Sequence, residues 1–191
     1  MCLNAYLKNL ILIFLATLTL SCCNKDDDKT PIEQLPPATT TGANTAGCLV
    51  NGQAFLPKGS SQFGPTLSCF YQQDQHGYHF GLSIVEKGSK EDKTVNISLN
   101  PNQLVENSTY TLGLKTNNGT SYNSNFGEYI IYYALNSDKE FRTSTLNIGE
   151  VKITKLDTQR RIISGSFWFD ARLSDEIIEI RDGRFDMRYV N

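Results

Sequence analysis

His76 and His79 are the only imidazoles in the chain, and their spacing decides what they can do. Residues three apart share a face on a helix but point to opposite faces on a strand. The surrounding Tyr78, Phe80, Leu82 and Ile84 alternate as a strand does. Neither histidine has a nearby cysteine or further histidine to complete a zinc set. They read as a turn histidine and a strand histidine, and no metal is expected. Asp26-Asp27-Asp28 offers oxygen ligands but lacks the glycine and distal glutamate of a calcium loop. Glu128 with Asp170, or Glu179 with Asp186, would support glycoside hydrolysis if the fold set each pair at the right separation. The chain has no Gly-x-Ser-x-Gly elbow, phosphate-cradling glycine loop or His-Glu-x-x-His. A hydrolase is the weakest reading, and no catalytic residue or cofactor is assigned.

Aromatic residues give the better lead. If Phe167 and Phe169 face a core, Trp168 faces the other way, between Ser166 and Asp170. Tyr122, Tyr129 and Tyr132 crowd a Gly/Asn/Ser-rich stretch nearby in sequence. An exposed aromatic with polar neighbours suits a sugar ring or a protein partner. Trp168, Tyr122, Tyr129 and Tyr132 are therefore the candidate binding surface. The alternative packs Trp168 under a long connection and lines the core with Tyr132 and Tyr133. Arg181, Arg184 and Arg188, interleaved with Asp182 and Asp186, read as a cross-strand ion-pair surface.

The five cysteines sort by position. Lys8 and the run Leu10-Ile11-Leu12-Ile13-Phe14-Leu15-Ala16 read as a cleaved export signal, too short for the ~20 apolar residues of a membrane span. The signal ends in Leu20-Ser21-Cys22-Cys23, which resembles a bacterial lipobox, and Asn24-Lys25-Asp26-Asp27 resembles the export signal of surface lipoproteins. Cys23 is the expected lipidation site, with Cys22 as the alternative. Acyl chains contribute ~0.8 kcal/mol per buried CH₂, and two or more give stable attachment to a bilayer. Cys48 and Cys69 stand alone in the body. A disulfide between them would stabilise by ~3 kcal/mol; the alternative is two buried thiols.

This gives three segments: a signal peptide at 1–22, a lipidated flexible linker at 23–46, and a single β domain at 47–191. The linker is charged, then rich in Pro, Thr, Ala and Gly, with a root-mean-square reach of roughly 25–30 Å. Beyond it no long helical periodicity appears. Asn51-Gly52 marks a two-residue hairpin, and Asp74-Gln75-His76-Gly77 and Asp157-Thr158-Gln159-Arg160 mark turns. The stretch 129–135 is apolar on both faces, as a central strand would be. Asp182-Gly183 divides the last two apolar runs, and a short helix fits 102–106. Eight to ten short strands predict an all-β fold, an antiparallel sandwich with an open barrel as the alternative. The formal net charge of −2, with no basic cluster, excludes a nucleic-acid partner.

The C-terminal third carries Val151-Lys152-Ile153-Thr154-Lys155, then Gly165-Ser166-Phe167-Trp168-Phe169, then Asp182-Gly183-Arg184-Phe185. These Gly-x-Phe-x-Phe and Asp-Gly-x-Phe strands resemble those of a Bacteroidota lipoprotein family known as a domain of unknown function. Asn51-Gly52-Gln53-Ala54-Phe55 and Ser108-Thr109-Tyr110 fit the same layout. The resemblance implies a β-sandwich at the cell surface or in the periplasm, and it brings no catalytic residues. Trp168 departs from the family pattern, which has a small or polar residue there. The expected role is a lipid-anchored binding module for a glycan or an envelope protein, held at the outer membrane. A structural component of the cell envelope is the alternative.

Overall fold

Period-two alternation becomes strand throughout the residues that the computed structural model describes, 29–60, 64–100, 103–113 and 124–191. The chain divides into two compact units, Met1–Thr30 and Pro31–Asn191. Only Lys29 and Thr30 of the first are described. The strands of the second are β1 (Thr45–Val50), β2 (Gln53–Phe55), β3 (Leu67–Asp74), β4 (Gly77–Glu86), β5 (Glu91–Leu99) and β6 (Thr109–Leu112). Then come β7 (Phe126–Tyr133), β8 (Lys139–Arg142), β9 (Gly149–Asp157), β10 (Ile162–Leu173) and β11 (Glu176–Arg188).

All belong to one sheet, ordered β2-β1-β11-β10-β8-β7-β5-β4-β3, with β9 and then β6 branching from β10. β10 is long enough to hold two partners on one edge: β9 along 162–169 and β8 at Arg172. The sheet curls into a half-barrel, so the expected all-β class stands in its open-barrel form. Its outer edges are tied down. Val190 pairs with β3, accepting from the Tyr71 N–H at 3.0 Å and donating to the Cys69 carbonyl at 3.1 Å. Lys58, beyond β2, donates to the Val85 carbonyl at the end of β4. Such pairing blunts an edge that would otherwise invite another chain.

The concave face holds the core. Phe80, Phe141, Phe169, Ile97, Leu99, Ile153, Ile163 and Ile180 are fully buried, each at the inward positions of its strand. Phe185 on β11 lies 5.9 Å from Phe80 on β4 and 6.4 Å from Phe167 on the neighbouring β10, centroid to centroid, so an aromatic contact crosses the core between strands far apart in the order. Each such ring contributes roughly 1.5–3 kcal/mol by leaving water.

Several expectations change. Cys48 on β1 and Cys69 on β3 are free thiols in the core, on strands that do not pair with each other. The disulfide expectation gives way to its alternative. Burial pushes the Cys69 thiol up to about 12 and Cys48 higher still, which keeps both protonated and inert. The described part of the 102–106 stretch holds no helix, only a turn at Glu106-Asn107 before β6. The strand expected at 129–135 runs earlier and ends at Tyr133, leaving Leu135 almost wholly exposed in the following turn. Asn51 and Gly52 do form the β1–β2 turn, both at positive φ (48° and 78°), as the twist of a hairpin requires.

The largest change is the linker. From Pro31 onward it is part of the fold: a 3₁₀ turn at Pro31–Gln34, buried Leu35, then a strap lying against β11. The strap closes on the Asp186 carboxylate, which is 1% exposed. Its oxygens accept from Thr39 Oγ1 (2.6 Å), Thr41 N (2.9 Å), Gly42 N (2.7 Å), Ala43 N (3.1 Å) and Ser164 Oγ (2.8 Å). Burial alone would raise this carboxyl's pKa, but the donors of Thr39, Ser164, Thr41 and Gly42 outweigh it and hold it far below the usual range. The linker composition offers little apolar surface to bury; a buried anion supplies the missing reason to order it.

Candidate functional site

The outward face of β10 and β11 holds the site, and a bulge shapes it. Phe167 pairs with Gly183 and Phe169 with Ile180, so Trp168 faces two residues of β11, Arg181 and Asp182, where one would be regular. Asp182 takes up the extra residue at φ 51°. The Asp-Gly pair is therefore a bulge inside one continuous strand, correcting its reading as a division between two runs. Gly183 is required next to it, since a Cβ there would sit 2.4 Å from the Phe167 ring. The bulge keeps Ile180 and Gly183 facing the core while Arg181 and Asp182 both face out.

Around this bulge lies an open cleft of about 510 Å³. Trp168 forms its aromatic wall, half-buried as alternation with Phe167 and Phe169 predicts. The Arg181 guanidinium lies over the indole, 5.6 Å from the ring centroid, a cation–π contact. Arg181 is itself fixed, donating to Asp170 Oδ1 at 2.6 Å, Glu179 Oε1 at 3.4 Å and the Phe169 carbonyl at 3.1 Å. Glu150 and Lys152 from β9, Thr109 from β6, and Ser166 and Asp182 complete the polar rim. Among the described residues, the side chains of these five have no hydrogen-bond or ionic partner. The site is rigid and its polar groups are uncommitted.

The other sequence-predicted residues go elsewhere. Tyr129 is 5% exposed and packs in the core against Phe55 and Phe141, so it is removed from the binding surface. Tyr132 is 42% exposed but lines a different hollow, with Lys90, Glu91 and Tyr133. Both belong to β7, where even a short shift in sequence changes face and end; proximity in sequence did not place them beside Trp168. Tyr122, Cys22 and Cys23 lie outside the described residues.

Neither carboxylate pair forms a two-acid site. Glu128 accepts from Asn96 and Arg142, Asp170 and Glu179 from Arg181, and Asp186 from the strap. The arginine cluster is only partly the expected ion-pair surface, since Arg184 donates to the Pro36 carbonyl instead. The histidines split as read: His76 is exposed in the β3–β4 turn and His79 is buried on β4. His79 bridges Asn100 Oδ1 at 2.7 Å and Asp74 Oδ1 at 2.9 Å. Burial lowers its pKa, but the Asn100 and Asp74 acceptors outweigh this and raise it overall. Among the described residues no group of three His, Cys, Asp or Glu side chains could hold a metal.

Lys152, Glu150 and Thr109 had no motif to mark them. Their signal was positional: Glu150 and Lys152 take the outward slots either side of inward Val151 on β9, and Thr109 the outward slot before Tyr110 on β6. Asp182 stood in the Asp-Gly motif but was read there as an ion-pair residue. No curated protein and no solved structure matches the chain. Residues 75–187 match the family described as Domain of unknown function (DUF6252). That span runs from the β3–β4 turn to near the end of β11, so it contains Trp168, Asp186 and the cleft while the strap and β1 lie before it. With more than half of its length covered, the chain belongs to the DUF6252 family.

Proposed function

We propose that the protein is a lipid-anchored lipoprotein of the bacterial cell envelope, of the Bacteroidota type, whose β domain is a non-catalytic binding module. The observation that carries the binding role is the Trp168 cleft: an aromatic wall fixed by Arg181, rimmed by side chains that no protein group uses. Groups so placed hold a ligand by ring contact and hydrogen bonds, and the four carboxylates of the sequence-predicted pairs, Glu128, Asp170, Glu179 and Asp186, are each held by other partners. The anchor rests on Leu20-Ser21-Cys22-Cys23 and the acidic run after it, with Cys23 as the acylated residue. Because the second unit begins at Pro31, only residues 24–30 separate it from Cys23.

Two measurements test this. Mass spectrometry of the native N-terminus should find a diacyl- or triacylcysteine at Cys23; an unmodified N-terminus rejects the anchor. Trp168 is the chain's single tryptophan, so its emission reports on the cleft alone. Envelope glycan or protein fractions should shift that emission saturably, and a spectrum indifferent to every fraction rejects the binding role.

A further inference from the structure

We propose that the Trp168 cleft takes a neutral saccharide, with its hydroxyls held between Lys152 and the carboxylates of Glu150 and Asp182. This rests on the reading of the cleft as a binding site and names what occupies it.

Charge is the first ground. The rim carries Glu150 and Asp182 against Lys152, and Arg181 is already paired with Asp170 and Glu179. An acidic polysaccharide would meet two unpaired carboxylates, and a basic peptide would meet Lys152. A neutral ligand meets neither penalty.

Bonding capacity is the second. Lys152 can only donate, Glu150 and Asp182 can only accept, and Ser166 and Thr109 can do both. A hydroxyl donates and accepts at once, so adjacent hydroxyls of one ring can bridge the ammonium and a carboxylate. A hydrocarbon ligand would bury these groups unsatisfied, which is costly. Hydrogen bonds to charged groups are also the stronger kind.

Shape is the third. The indole of Trp168 supplies a flat apolar patch for the C–H face of a sugar ring. The volume of about 510 Å³ falls inside the ~300–1,000 Å³ range of small-ligand sites. The side chains stand on four paired strands, β6, β9, β10 and β11, so little ordering is needed on binding.

The test titrates the full-length protein, following Trp168 emission, with three probes: neutral oligosaccharides of glucose, galactose and mannose, oligouronates, and oligolysine. At least one neutral oligosaccharide should saturate the signal. Lys152→Ala, Glu150→Gln and Asp182→Asn should each weaken that binding tenfold or more while leaving the melting temperature unchanged. Saturation by the oligouronates or oligolysine alone overturns the proposal, as does neutral-sugar binding that ignores all three substitutions. If no saccharide acts but a purified envelope protein saturates the emission, the saccharide proposal falls and the binding role stands. If nothing acts, both fall.

Discussion

Two stretches of the same outward strand face use their polar residues in opposite ways. At Ser164 and Asp186, paired directly across β10 and β11, a buried carboxylate is surrounded by donors from the strap and from Ser164. Two pairs further along, at Trp168 and its bulge, carboxylates and an ammonium stand uncovered with no protein partner. The strap stops between them, its Pro36 carbonyl taking the Arg184 guanidinium. The first region is closed and structural, and the second is open. Burial with satisfied donors marks a polar group that serves the fold; exposure without partners, in a rigid cleft, marks one left for something else.

The largest effect should come from breaking the closed region. Asp186→Ala strands several donors inside the protein and should cost about 3 kcal/mol or more, read as a lowered urea midpoint. An unchanged midpoint would mean that the strap contributes nothing. The acid dependence has a definite sign. Asp186 has a folded pKa below its unfolded value of ~3.9, so its contribution is present above about pH 4 and is lost as the pH falls toward the folded value. Asp186→Asn should flatten that part of the acid unfolding curve.

Gly183→Ala should come next, forcing a Cβ into the Phe167 ring and costing about 1–3 kcal/mol. It should also distort the bulge, so the Trp168 emission maximum should move; a stable variant with unchanged emission would show that the bulge does not set the cleft. His79 gives a smaller, pH-dependent effect of opposite sign. Its folded pKa is raised, so its contribution is full below the unfolded value of ~6.5 and fades as the pH rises through the folded one. Thermal melts across pH 5–9 should show this fading in the native protein and its absence in His79→Gln. The smallest effect belongs to the open region: Trp168→Ala should change stability by less than about 1 kcal/mol and abolish binding. A loss of several kcal/mol would place Trp168 with the core.

Local patterns carried much of this. Alternation put Phe167 and Phe169 inward and Trp168 outward, Asn51-Gly52 turned where it should, and His76 and His79 took a turn and a strand. What local pattern missed was non-local. Nothing in Thr39-Thr40-Thr41-Gly42 announces an aspartate near the far end of the chain, so the strap read as linker. Asp182-Gly183 satisfies a bulge as readily as a turn, and only pairing with β10 tells which. Tyr129 and Tyr132 could not be sorted into core and rim without the curl of the sheet, and the free state of Cys48 and Cys69 depended on strand order.

Iodide quenching of Trp168 in the intact protein, with and without envelope glycan and protein fractions, probes the contrast between the two regions most directly. An open cleft predicts partial quenching of the free protein and clear protection once a ligand fills it. An indole that iodide never reaches, or one quenched equally whatever is added, would contradict that contrast.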